Sequence, residues 1–409
     1  MGEFVEIWEN SSLDARVYDA DVPPPSFDTK TLASLDTLIE ASYHAASAGD
    51  VDAAAALLYT YVYRGPSALL TSILGRHEVA LNALTQFFPF RDLSLDPRTT
   101  SPASRRWIMH EAAVCLHVLG RLDQAAAMAS RAARAALAMD DKHSAAITYH
   151  NLAETYLANG ALRSCRAVAD TALGLAMESG EQEDVLVAST VLGRLADLTG
   201  QSEAAAVAYK RALRIAAADT PFPILYSRSG VRHAEYLCNA GQPAEALRIA
   251  QENYAFCAER GWQSDVALIL AQISTIPSTL PEVQLEQYSS DAVDLARSLG
   301  HKVVLTDALI ARGWFMNQRQ GPRDAIFAAS EALAIAQSSV LRLAEVDSRI
   351  QLAVARAALG DGVNAQAEAY LAAELAGELG YVRGRRAVED ETRRWSGGTT
   401  GQEPDAPAE

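Results

Sequence analysis

Eight histidines and four cysteines are the residues of this 409-residue chain best suited to metal binding or nucleophilic chemistry. His77-Glu78 and His110-Glu111 begin like a zinc-protease helix, but Leu81 and Val114 stand where the second histidine must be. His110 and His117, and likewise His143 and His150, are seven residues apart, two turns along one helical stripe. A metal there needs a third ligand from elsewhere, so core or groove histidines are the simpler reading. Cys115, Cys165, Cys238 and Cys257 form no C-x-x-C pair and read as small apolar packing residues. The chain has no phosphate-cradling G-x-x-x-x-G-K-[ST] loop and no G-x-S-x-G elbow; Ser229-Gly230 is a helix start. The expectation is no metal, no cofactor and no enzyme.

What remains is charge, and its placement depends on the elements that carry it. Alanine occurs 78 times along the whole chain, which calls for helices throughout. Glycines mark a period: Gly120, Gly160, Gly200, Gly241, Gly321 and Gly360 are separated by 40, 40, 41, 80 and 39 residues, with Leu280-Pro281 filling the skipped step. A second series, Gly180, Gly261, Gly300 and Gly380, runs half a repeat out of phase. Two helix breakers per forty residues define a helix-turn-helix repeat, one series ending helix A and the other helix B.

Small residues hold fixed places within the repeat. They stand five after the landmark glycine (Ala54, Ala125, Cys165, Ala205, Ala246, Ala365), twelve after it (Ala132, Ala172, Ala212, Ala372) and seven before it (Ala113, Ala153, Gly193, Ala234, Ala353). Such positions allow two helices to cross closely. Phrases such as Asn151-Leu-Ala-Glu-Thr-Tyr-Leu-Ala-Asn-Gly160 resemble the tetratricopeptide repeat, here with a period near 40 in place of the family's usual 34 or so. HEAT-like repeats share the longer period but do not require this register. The resemblance implies an all-α fold: a right-handed α-solenoid of about nine helix-turn-helix repeats with a C-terminal capping helix.

The landmarks divide the chain into an acidic, proline-containing arm (1–29), irregular helix pairs and a loop (30–103), seven regular repeats (104–380), an arginine-rich capping helix (381–395) and a tail expected to be disordered (396–409). Lysine plus arginine number 35 against 51 acids, and the net charge of −16 argues against nucleic acid or an anionic membrane as partner. The N-terminal nine residues are acidic where a signal peptide needs base, so the expected compartment is the cytoplasm.

In tetratricopeptide arrays helix A lines the concave wall. Carried over by register, the inward residues include His110 and His117, His150 and Glu154, Arg194 and Asp197, Arg228 and Glu235, and Asp307, Trp314 and Asn317. Arginine, histidine and tryptophan are favoured at binding hot spots; alternatively these charges pair across neighbouring repeats and only solvate the groove. Two functions follow, with a third behind them. The first is a scaffold holding a partner protein or peptide in an open groove. The second is an effector sensor with a closed, partly apolar pocket for a small molecule or peptide. The phrase Leu119-Gly-Arg-Leu-Asp-Gln-Ala125 resembles the C-terminal arrays of bacterial STAND-type signalling ATPases, whose ATPase is missing here. The third is an enzyme with its site inside the superhelix, for which the inward charges alone speak.

Overall fold

The computed structural model describes residues 29–65, 68–219, 224–319 and 321–397, so the acidic arm through residue 28 and the tail from 398 lie outside the described residues. Those residues form helices and no strand. The array opens with α1 (Thr29–Ser47) and α2 (Val51–Leu57), then turns irregular through single π-helical turns at Leu58–Val62 and Leu69–Ile73 and the short α3 (His77–Thr85). Seven helix pairs follow among the described residues: α4 (Pro102–Val118) with α5 (Leu122–Ala138), α6 (Lys142–Ala158) with α7 (Leu162–Ser179), α8 (Gln182–Leu198) with α9 (Ser202–Asp219), α10 (Ser227–Asn239) with α11 (Pro243–Glu259), α12 (Gln263–Thr275) with α13 (Glu282–Ser298), α14 (Lys302–Gln318) with α15 (Pro322–Ser338), and α16 (Arg342–Ala358) with α17 (Gly362–Leu379). The last helix, α18 (Val382–Gly397), covers the open side of the final pair.

The small-residue register is where the helices meet. Ala125, Cys165, Ala205, Ala246 and Ala365 are at most 1% exposed, as are Ala132, Ala172, Ala212 and Ala372. At Gly193 a Cβ would stand 3.0 Å from the ring of Tyr209 on the paired helix, so even alanine is tight at this crossing. The turn between helices keeps its left-handed residue where glycine is missing: Asp140 and Val340 occupy the out-of-phase positions with φ of 56°.

The array does not stay open. The turn at Gly120 meets Ser339 and Lys302, and the turn at Gly160 meets Leu379 and Arg342. Ser339 and Leu379 each stand 219 positions after the glycine they touch, so the superhelix completes a lap in roughly five and a half repeats and then lies against itself. Gly75 against Leu299 and Gly200 against Val382 extend the same seam. Hydrophobic burial runs through it: Ala153, Leu157, Leu192 and Leu195 of the first lap share a core with Val346, Ile350, Ala372 and Val388 of the second. Leu122, Val303, Ala336 and Leu341 form a smaller cluster further along the seam.

Candidate functional site

The first lap surrounds a half-open cavity of about 400 Å³, lined mainly by α4, α6, α8 and α10 together with the N-terminal ends of α12 and α14. His117, His150, Glu154 and Arg228, each assigned inward by register, all line it. So do Tyr226, Arg232, Trp262 and His301, which the register does not assign. Tyr226, Trp262 and His301 are the N-cap residues of α10, α12 and α14. They occupy one equivalent position in three successive repeats. The signal was present for two of them, because Trp262 and His301 directly follow Gly261 and Gly300 of the second glycine series.

Glu154 is the centre of the cavity's charge. Arg232 pairs closely with its Oε2, both side chains being 10% exposed or less. Burial by itself would raise the Glu154 carboxyl, but Arg232, with smaller contributions from His150 and Arg228, holds it at about 2. Arg228 Nη1 stands 3.9 Å from the same Oε2, too far for a hydrogen bond, and its side chain is 30% exposed. Glu154 Oε1 is buried without a hydrogen bond, as is His150 Nδ1.

Burial drives His117 and His150 down to about 4, so both rings are neutral at pH 7. Hydrogen bonding then fixes the tautomer of His117. The Thr155 hydroxyl donates to Asn151 O at 3.0 Å, so at 3.2 Å it must accept from His117 Nδ1–H. That leaves Nε2 of His117 as an acceptor. His301 is the reverse case: its Nδ1 accepts the Val304 amide at 3.3 Å, so the neutral ring carries its proton on Nε2. The cavity therefore offers donors from Arg228 and His301 and acceptors from Glu154 and His117.

The remaining register residues lie elsewhere. His110 is tied to Thr148 Oγ1 at 3.1 Å, away from the cavity lining. Arg194, Asp197 and Glu235 form a second cluster with Arg383 of α18. Arg383 donates to Asp197 Oδ2 at 2.9 Å and to Glu235, and Arg194 pairs with Glu235 as well. Burial would raise Glu235, but Arg194 and Arg383 together bring it to about 2. Tyr381 donates to Asp347 Oδ1 at 3.0 Å beside them. This cluster joins the two laps and acts as a latch. Asp307 does not line the cavity; it is exposed, and the protein around it raises its carboxyl to about 7 against the lowering fields of Arg228 and Arg194. Trp314 packs partly buried on the apolar core, and Asn317 donates to Gln351 O at 3.1 Å on the adjacent helix A.

Burial raises the thiols of Cys165 and Cys257 to about 12, that of Cys115 well above its usual value and that of half-buried Cys238 in the same direction, which disfavours the reactive thiolate. Among the described residues no group of histidine, cysteine and acidic side chains could hold a metal ion, and no helix is long and apolar enough to cross a membrane.

No protein-family model matches the chain, and no curated protein matches it. Solved structures share its helical character at low similarity. The Rap protein complexed with competence and sporulation factor is 12% identical, with a TM-score of 0.38 over 89% of this chain and 99% of that one. The apo quorum sensor NprR from B. thuringiensis is 13% identical, with a TM-score of 0.33 over 89% and 99%. The tetratricopeptide domain of P58(IPK) is 12% identical, with a TM-score of 0.25 over 90% and 100%. At these scores the likenesses carry no functional argument.

Proposed function

We propose that this chain is a non-catalytic, cytoplasmic sensor module that takes a small effector or the end of a short peptide into its lumen. The observation that carries this reading is the 400 Å³ cavity with donors and acceptors converging on it from four repeats. Its volume lies in the usual range for small-ligand sites, and its wall mixes apolar and aromatic side chains with a few polar groups. An open scaffold groove would present a long, continuous concave wall, whereas here the second lap lies against the first. The STAND-type arrays that the repeats resemble would use such a cavity to register an effector for a separate ATPase. A scaffold role for whole proteins is the second reading, and it moves to other surfaces, where Phe327 and Tyr370 are 75% and 66% exposed.

The test is native mass spectrometry of the protein purified from its own cells, as wild type and as Val187→Trp, which fills the lumen from α8. A bound small molecule or short peptide present in wild type and absent from V187W is the expected result. A macromolecular partner carried equally by both, with nothing in the lumen, would overturn the sensor reading in favour of the scaffold.

A further inference from the structure

We propose that the lumen recognises a carboxylate bearing a nearby amide N–H, the chemistry shared by a peptide's C-terminus and an N-acyl amino acid, with Arg228 as its anchor. The proposal rests on the lumen reading above and identifies the ligand's chemical class.

Two guanidinium groups approach Glu154, and Arg232 occupies the close position. Arg228 is left at 3.9 Å with no hydrogen bond from its side chain among the described residues. A guanidinium presents its donors as a planar fork that matches a carboxylate with two parallel bonds. Arg228 also sits in the first turn of α10, at the positive end of the helix dipole, which favours a negative charge. His301, with its proton on Nε2, supplies a further donor to the same cavity.

A bare anion would leave the other half of the wall unanswered. Glu154 Oε1 is buried with no hydrogen bond, its nearest partner being His150 Nε2 at 3.7 Å, and His117 presents Nε2 as an acceptor. Unpaired buried acceptors are costly, so the complementary ligand brings an N–H or O–H next to its carboxylate. Trp262 and Tyr226 on the wall suit an apolar or aromatic side chain on that ligand.

The probes are N-acetylphenylalanine, its primary amide, 3-phenylpropionate, a tripeptide ending in phenylalanine, and inorganic phosphate. They are measured by titration calorimetry on the full chain, and by soaking crystals at tens of millimolar. N-acetylphenylalanine should occupy the cavity against Arg228, while its amide and 3-phenylpropionate bind at least ~10-fold more weakly. Arg228→Gln should lose at least ~10-fold in affinity for the acid, and Arg228→Lys should fall between. The tripeptide separates the two sources: tighter binding than the acetylated residue assigns a peptide terminus, weaker binding an N-acyl amino acid. Equal binding of acid and amide, unchanged binding by R228Q, phosphate binding as well as the acid, or an empty cavity at saturation would each overturn the anchor. Equal binding of the acid by wild type and V187W would instead overturn the lumen reading on which it rests.

Discussion

The lumen holds two charge clusters made from the same residue types on neighbouring helices, and they differ in how fully they are paired. At the latch, Glu235 receives both Arg194 and Arg383, and Arg383 also reaches Asp197, so each charge has a close partner. At the cavity, Glu154 takes Arg232 closely and leaves Arg228 at a distance. A saturated cluster holds structure together, whereas an unsaturated one beside empty space is equipped to receive something. Inward-facing charge is thus ambiguous by position alone, and the pairing resolves it.

The sharpest way to break this contrast is to remove each central acid. Glu154→Ala strands Arg232, which is 6% exposed, and should cost about 3–5 kcal/mol in urea denaturation. Glu235→Ala should cost less, about 2 kcal/mol, because its side chain and that of Arg383 are about a quarter exposed and water screens what is left. Equal losses would mean the two clusters are energetically alike.

The seam between laps can be isolated with a pair of glycines. Gly120 and Gly360 both have positive φ, at 73° and 80°. Alanine at either position meets the same backbone penalty of about 1 kcal/mol. A Cβ on Gly120 would also stand 2.8 Å from Ser339 Cβ, while one on Gly360 meets nothing within 4 Å. Gly120→Ala should therefore lower stability by roughly a further 1–2 kcal/mol. Matching melting temperatures for the two variants would show that the seam gives way without cost.

The smallest expected effect comes from pH. Burial raises Asp347 from 3.8 to about 6, so its ionisation opposes folding above pH 6, and that opposition fades as pH falls towards 4. Asp347→Asn should raise the melting temperature by a few degrees at pH 8 and leave it unchanged at pH 4. The cavity imidazoles act in the other direction. His117 and His150 fall from 6.5 to about 4, so the stability they contribute is complete above pH 6.5 and is lost between there and pH 4. A D347N effect independent of pH would show that Tyr381 packing, not ionisation, governs that site.

Much of this architecture was legible because a repeat writes its packing locally. Ala125, Cys165 and Ala205 stand at one offset because each meets the same neighbouring helix, so period and register report helix pairs directly. The seam left no such trace. Gly120 reads as a helix cap from its surroundings, and its contact with Ser339 comes from superhelical curvature accumulated over 219 residues, which no window of sequence displays. The same division applies to the cavity. His117, His150, Glu154 and Arg228 follow the helix A register and converge, while Tyr226, Trp262 and His301 stand at N-caps, outside the periodicity that the register follows. Arg232 stands off the register too, and its long side chain carries the guanidinium to Glu154 from there.

The self-contact also changes what kind of object the chain is. An open solenoid is a modular string: its stability is a sum over adjacent units, and units can be gained or lost without redrawing the rest. Here a turn near residue 160 depends on a helix end near residue 379. An extra repeat inserted between them would slide every seam contact by one unit and set helix faces where turns now meet. Copy number is therefore locked by shape. The chain should unfold as one cooperative body instead of fraying from its ends, and it should fold slowly for an all-helical protein, because its closing contacts join segments so distant in sequence.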